Sequence, residues 1–274
     1  MRIDSHQHFW SVNNAWVTRQ EPILCRDYMP EDLRPSLGPH GINKTVVVQT
    51  APIVAETDFL LDIARKCDFI GGVVGWLDMD SRDFPEKVEQ YSRQPRFVAV
   101  RPMLESIPED DWILRPHVVA CLRLVAELGL AFDLLTHTRH LPYVIRAIEK
   151  VPRLRAVVDH ISKPEIRIQK MSPWKDLIKE VASNRNVYCK LSGMITEADH
   201  KKWTADHLRP YVDHVIESFG LERVMFGSDW PVCLLAGNYK QVIDALETLL
   251  RPHMNEGSEQ AVFGGNAARF YNIK

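Results

Sequence analysis

Two histidines two residues apart, His6 and His8, stand at the start of this 274-residue chain, and Asp229 closes an apolar run near its other end. On a strand successive side chains alternate faces, so His6 and His8 point to one side and Gln7 to the other. Two imidazoles so placed can hold one metal ion or one substrate oxygen between them. Asp229 lies in Met225-Phe226-Gly227-Ser228-Asp229-Trp230-Pro231, where an apolar strand would deliver a carboxylate to its end and Pro231 would stop further pairing. A helix-capping aspartate is the alternative there. Next to two imidazoles, such a carboxylate is a general base for water.

His160 ends another apolar run, Val157-Val158-Asp159-His160, and is expected on the same rim, with Asp159 either orienting it or facing a helical layer. His137 and His140, in Thr136-His137-Thr138-Arg139-His140, compete for one place, and either can instead cap the next helix. His40, His117, His200, His207, His214 and His253 read as surface or packing residues. Arg101 and Lys190 also stand at strand ends. An unpaired cation is costly in such a place, so each must meet a carboxylate, from the protein or from a substrate. Trp10, Trp76 and Trp230 fall at or just past strand ends, where an indole can stack on a sugar ring, although Trp76 also suits a core position. Cys25, Cys67, Cys121, Cys189 and Cys233 are odd in number and form no CxxC pair, against both a disulfide framework and a thiolate zinc site.

The elements that must position these residues recur along the whole chain. Eight β-rich runs are seen: Ile3 to Phe9, Thr45 to Thr50, Ile70 to Leu77, Phe97 to Met103, Ala131 to Thr136, Ala156 to Ile161, Val187 to Ser192 and Val224 to Trp230. Between them apolar residues fall three and four apart, as in Phe59, Leu60, Ile63 and Ala64, or Val118, Val119, Leu122 and Val125, or Val144, Ile145 and Ile148, the spacing of helices with one buried stripe. Strand and helix in alternation imply a parallel sheet, and eight repeats close into a (β/α)8 TIM barrel, one α/β domain over residues 1–274. An open doubly wound sheet is disfavoured because His6-Gln7-His8 stands where its Gly-rich phosphate loop would be. Two insertions, Ser11 to Pro39 and Glu105 to Pro116, follow strand ends and are expected to wall or cover a pocket.

Hydrophobic residues make up 45% of the chain and charged residues 26%, with a net charge of -2, so it reads as an ordinary globular protein. Scattered Lys and Arg offer no stripe for nucleic acid. No apolar run approaches the ~18 residues of a membrane helix. Arg2-Ile3-Asp4-Ser5-His6 has no secretory pattern, and a cytoplasmic enzyme is expected.

The blocks Ile3-Asp4-Ser5-His6-Gln7-His8-Phe9-Trp10, Val158-Asp159-His160-Ile161-Ser162-Lys163-Pro164, Tyr188-Cys189-Lys190-Leu191-Ser192-Gly193, Phe226-Gly227-Ser228-Asp229-Trp230-Pro231-Val232-Cys233 and Gly265-Asn266-Ala267-Ala268-Arg269-Phe270-Tyr271 span the chain. Together they resemble the sugar-lactonase branch of the amidohydrolase superfamily, whose fuconolactonase-like, rhamnonolactonase-like and pyrone-dicarboxylate lactonase members share them. The resemblance implies hydrolysis of a lactone by water, with Asp229 as base and His6, His8 and His160 stabilising the oxyanion. Asp229 would then return its proton to the departing ring oxygen.

Many superfamily members bridge two metals through a lysine or glutamate of the fourth strand, where this chain has Arg101-Pro102, so a binuclear site is not expected. The branch works without metal, so no cofactor is strictly required, although His6, His8 and Asp229 can hold one Zn²⁺. A pyrone dicarboxylate would call for several clustered cations. Arg101 and Lys190 alone, with Trp10, Trp76 and Trp230, favour an aldonolactone such as L-fuconolactone or L-rhamnonolactone. Alternatives are a lactone isomerase, a metal-dependent decarboxylase, or a catalytically silent sugar-binding barrel.

Overall fold

Eight parallel strands pair strictly in chain order: β1 (Arg2–Gln7), β2 (Ile42–Val48), β3 (Ile70–Gly75), β4 (Phe97–Val100), β5 (Ala131–Leu134), β6 (Arg155–Val158), β7 (Val187–Leu191) and β8 (Val224–Phe226). This is a computed structural model, and it describes residues 1–13, 21–255 and 257–274. The seam between β8 and β1 closes the barrel. His8 N donates to Trp230 O at 2.7 Å, Asp229 N to His6 O at 2.8 Å and Ser5 Oγ to Phe226 O at 2.6 Å. A helix follows each strand: α1 (Pro30–Leu37), α2 (Val54–Lys66), α3 (Phe84–Ser92), α4 (Pro116–Glu127), α5 (Leu141–Lys150), α6 (Trp174–Ala182), α7 (Ala205–Phe219) and α8 (Tyr239–Leu250).

The strands are apolar on both faces because the barrel is filled inside and covered outside. Val46 and Val48 of β2 point inward with Ile3, Val74, Ala99, Ala131, Val157 and Met225, while Val47 points outward to the helices. Phe270, Tyr271 and Ile273 join the inner group, so the C-terminal helix (Asn266–Tyr271) and the residues after it plug the end where the strands start. The expected helical stripes are present: Val118, Val119, Leu122 and Val125 of α4 are all buried. No described helix is long and apolar enough to cross a membrane.

An irregularity in β1 sets the direction of its histidines. Asp4 pairs with Thr45 and Gln7 with Val47, so β1 uses three steps where β2 uses two. An extra residue in one strand reverses its side-chain alternation. Asp4 faces outward like Thr45, and after the irregularity His6 is turned inward while Gln7 faces out, its Nε2 donating to Thr45 Oγ1 at 3.0 Å. Asp4 fastens the seam, its Oδ1 accepting from His6 N at 3.1 Å and Ser228 N at 2.9 Å, and its Oδ2 from Tyr239 OH at 3.1 Å.

Every strand ends sooner than its apolar run suggests, by one residue at Leu191 and by four at Phe226. The residues beyond the ladder are those of the rim. There the backbone leaves extended geometry, with φ of +51° at His160, +45° at Lys163 and +57° at Asp229. Left-handed conformations at residues other than glycine cost energy and persist where surrounding structure imposes them, most often at functional sites.

Candidate active site

His6 on β1, His8 just beyond it, His160 after β6 and Asp229 after β8 converge on the rim. His6 Nε2 lies 3.2 Å from His8 Nε2, and Asp229 Oδ1 lies 3.3 Å from His8 Nε2, 3.8 Å from His160 Nε2 and 3.9 Å from His6 Nε2. One carboxylate oxygen thus faces three imidazole nitrogens. His8 Nδ1 sits 2.7 Å from Val48 O. A carbonyl only accepts, so Nδ1 carries a proton and Nε2 faces the cluster, as a lone pair in the tautomer with one ring proton. His160 Nδ1 meets Ser192 Oγ at 2.8 Å. Its ring lies against Gly193, whose φ is +62°, and a Cβ there would stand 2.5 Å from His160 Nδ1, so only glycine leaves the space.

Behind His6 lies a buried charge network. Lys190 Nζ, fully buried, is 2.5 Å from Asp133 Oδ2, 2.9 Å from Asp159 Oδ1 and 3.1 Å from His6 Nδ1. Asp159 Oδ1 is 3.4 Å from His6 Nδ1, and its Oδ2 accepts from Arg101 Nη1 at 3.1 Å. Tyr271 OH donates to Asp133 at 2.8 Å, tying the network to the C-terminal plug.

Burial, then the charge of Lys190, holds His6 well below the usual histidine range, and burial lowers His160 to about 4 against the pull of Asp229. Burial alone would raise Asp229, but the surrounding imidazoles, His160 first, outweigh it and hold the carboxyl below its ordinary value. Burial would also raise Asp159, yet Lys190, His6 and Arg101 keep it well below. Asp133 is raised to about 6 because burial outweighs Lys190. At neutral pH the cluster is therefore an ionised Asp229 beside neutral His6 and His160. The cleft above it has a volume of about 250 Å³, with His8, His160 and Asp229 in its floor.

Residues 3–273 of this sequence match the model of the family described as Amidohydrolase. The chain belongs to the amidohydrolase family. It is 40% identical to an L-fucono-1,5-lactonase of Burkholderia ambifaria over 99% of this chain and 96% of that protein, and 33% identical to an L-fucono-1,5-lactonase of Burkholderia multivorans over 100% and 96%. A crystal structure of an amidohydrolase from Burkholderia multivorans with bound zinc superposes with a TM-score of 0.95 at 31% identity, covering 100% of each chain.

Other expected residues of this amidohydrolase stand elsewhere. Lys190 is not at the cleft: it is enclosed in the barrel and paired with Asp133 and Asp159, so a substrate has no access to it. Arg101 does line the cleft, while its guanidinium is held by Asp159 and by Gln49 O. The indole platform is absent. Trp10 is fully buried, its Nε1 donating to Arg26 O at 3.0 Å, and Trp230 is packed edge-on with Phe9 and Tyr28. Half-buried Trp76 binds Thr57 Oγ1 through its backbone and does not line the cleft. None of the three lines the cleft.

Asp159 neither orients His160 nor faces the helices; it points inward, to His6, Arg101 and Lys190. His140 caps the turn before α5, its Nδ1 accepting from His137 N at 3.0 Å, and His137 Nε2 lies 3.7 Å from Glu105, so neither joins the cluster. His200 is exposed, as expected of a surface residue, and also lines the cleft. The insertion after β4 walls the cleft through Glu105, as expected of it. Of the insertion after β1, residues 14–20 lie outside the described residues, and none of its described residues lines the cleft. Cys189 and Cys233 are buried, burial pushes both thiols up, and they pack rather than react.

Of the remaining residues, Lys163 and Gly193 stand in the blocks quoted above and Glu105 opens the second insertion, none of them with a role assigned from the sequence, while the cleft wall Glu197 and the inner Asp133 carry no motif. Asp133 had one signal: a carboxylate in the apolar run Ala131-Phe132-Asp133-Leu134 and a lysine in Val187–Leu191 are opposite charges on buried strands, which must find each other.

Proposed function

We propose that this amidohydrolase opens a sugar lactone, an aldonolactone of the L-fucono-1,5-lactone type, by attack of a water molecule held at Asp229. Its likeness to curated L-fucono-1,5-lactonases over nearly its whole length supports lactone hydrolysis. The observation that carries the chemistry is the single ionised carboxylate facing three imidazole nitrogens at the floor of a cleft.

Asp229 accepts one hydrogen of the water and the His8 Nε2 lone pair accepts the other, which aims the oxygen at the carbonyl carbon. Because Asp229 is held below the usual carboxylate range, it is a weak base, and the proton moves with the attack rather than ahead of it. In the tautomer in which Nδ1 accepts from Ser192 Oγ, neutral His160 presents Nε2–H to the developing oxyanion. Lys190 Nζ, 3.1 Å from His6 Nδ1, likewise leaves His6 an N–H at Nε2. The oxyanion donors are therefore His6 and His160, and His8, in the tautomer with its single ring proton on Nδ1, acts as an acceptor rather than as the third donor. As the tetrahedral centre collapses, protonated Asp229 returns its proton to the ring oxygen, and no covalent intermediate forms.

The same donor set fits one divalent ion. His6, His8 and Asp229 offer ligand atoms all within 4.8 Å of one another, His8 is already oriented by a carbonyl, and Asp159 gives His6 Nδ1 a carboxylate partner when Nε2 turns its lone pair inward. A bound Zn²⁺ would polarise the carbonyl or acidify the water. A panel of lactones tested for acid release with metal-free and zinc-loaded protein decides the reading, with hydrolysis expected in the metal-free arm as well. Isomerisation releases no acid and decarboxylation releases carbon dioxide; protein that opens no lactone in either arm overturns the proposal. The five free cysteines fit the reducing cytoplasm as its place of work.

A further inference from the structure

Glu197, in the loop after β7 that also carries Gly193, lines the cleft with a second carboxylate, Glu105, and the two differ in what they touch. Glu105 Oε2 meets Lys163 Nζ at 2.5 Å and lies 3.7 Å from His137 Nε2, so its charge is answered and its position held. The Glu197 side chain has no hydrogen bond or ion pair among the described residues. Its backbone is nonetheless anchored, the carbonyl accepting from Arg167 N at 2.9 Å. A half-buried carboxylate without a hydrogen-bond donor has given up hydration for only the through-space charge of Lys163, and burial outweighs that charge and pushes its pKa up. Such a group makes sense where a ligand brings the donors.

The ligand groups that Glu197 would meet are not those of the reacting carbon. The buried donors close enough to share an ion, His6, His8 and Asp229 or His6, Asp159 and His160, lie within 4.8 Å of one another, and Glu197 belongs to neither set. It lines the same cleft as His8, His160 and Asp229 without joining their cluster. Lys163 and Arg101 on the same walls oppose a cationic ligand. The remaining donors of matching shape are hydroxyls, and the two oxygens of one carboxylate can accept from two adjacent hydroxyls at once.

We propose that Glu197 determines specificity in this enzyme, accepting hydrogen bonds from two neighbouring hydroxyls on the lactone ring remote from the carbonyl. This rests on the lactonase reading and adds to it a requirement for a vicinal diol. A site built to hydrogen-bond a hydroxyl discriminates strongly against analogues that lack it.

The test compares wild type with Glu197→Ala and Glu197→Gln on L-fucono-1,5-lactone and on δ-valerolactone, the latter a six-membered lactone with no ring hydroxyl. The ratio of kcat/KM for the hydroxylated over the bare lactone is expected to fall about 10- to 100-fold in the alanine variant, chiefly through KM, with glutamine between the two. An unchanged ratio overturns the proposal, including the case where both substrates fall together. Calorimetric binding of L-fuconate and of 5-hydroxypentanoate is measured in parallel. If wild type hydrolyses neither lactone, the lactonase reading fails, and binding alone decides the role of Glu197: preference for L-fuconate lost on substitution upholds it, while no preference in wild type overturns it.

Discussion

At the scale of single residues, Asp229 and Gly193 make the sharpest demands. Asp229→Asn keeps the shape of the side chain and removes the proposed acceptor of the water proton. Its kcat is expected to drop by about 10³-fold or more while affinity for the lactone changes little, measured by steady-state acid release. Gly193→Ala acts at one remove. The new methyl would stand 2.5 Å from His160 Nδ1 on a backbone with φ of +62°, so His160 must shift or the loop must rearrange. Because displacement of a catalytic group by about 1 Å can cost roughly 10²-fold, kcat should fall by about that factor. A Gly193→Ala enzyme of full activity would show that His160 has no fixed place in the reaction.

At the scale of elements, the barrel holds His6 from behind with charges contributed by several strands. Lys190 on β7 lies between Asp133 on β5 and Asp159 just past β6, and all three are fully buried. Removing one member of such a group leaves its partners charged and unsolvated, which is worse than lacking the group altogether. Lys190→Met is therefore expected to destabilise the fold by about 3 to 5 kcal/mol in urea unfolding, and Lys190→Met combined with Asp133→Leu to recover part of that loss. If the single variant unfolds like wild type, the network is not the support described. Asp4 plays the corresponding part on the outside of the seam, where one carboxylate collects His6 N, Ser228 N and Tyr239 OH and so fixes β1, the loop after β8 and α8 to each other.

For the whole molecule, buried titrating groups couple folding to pH with opposite signs. His160 is lowered to about 4 in the fold, so between its ordinary 6.5 and that value the unfolded chain takes up a proton that the folded chain refuses. Its contribution to stability is intact above 6.5 and is lost as pH falls towards 4. Asp4 and Asp133, raised to about 6 from 3.8, act the other way: their contribution is present below 3.8 and is lost as pH rises through 6. His160→Asn removes one side of this balance. Relative to wild type, its unfolding free energy is expected to improve by roughly 2 kcal/mol between pH 7 and pH 4.5. A difference independent of pH would mean that His160 is not held neutral. The barrel itself was legible in the sequence because strands buried on both faces must be apolar throughout and because each is followed by a helical stripe. His6, His8, His160 and Asp229 were legible because polar residues interrupting or ending apolar runs have to be positioned by them. The direction in which side chains point was not legible. Alternation counted from Ile3, which faces inward, would send His6 and His8 outward, and the extra residue between Asp4 and Gln7 turns them in. Counted from inward Val157, Asp159 faces in and His160 out, until a φ of +51° brings His160 back to the cleft. Pairing register and left-handed backbone arise from contacts between distant segments, which local pattern does not encode. Types and order of residues thus determined the barrel and its reactive groups; the tertiary structure alone decided that Lys190 supports, that the indoles pack, and that Glu197 faces the cleft without a hydrogen-bond partner among the described residues.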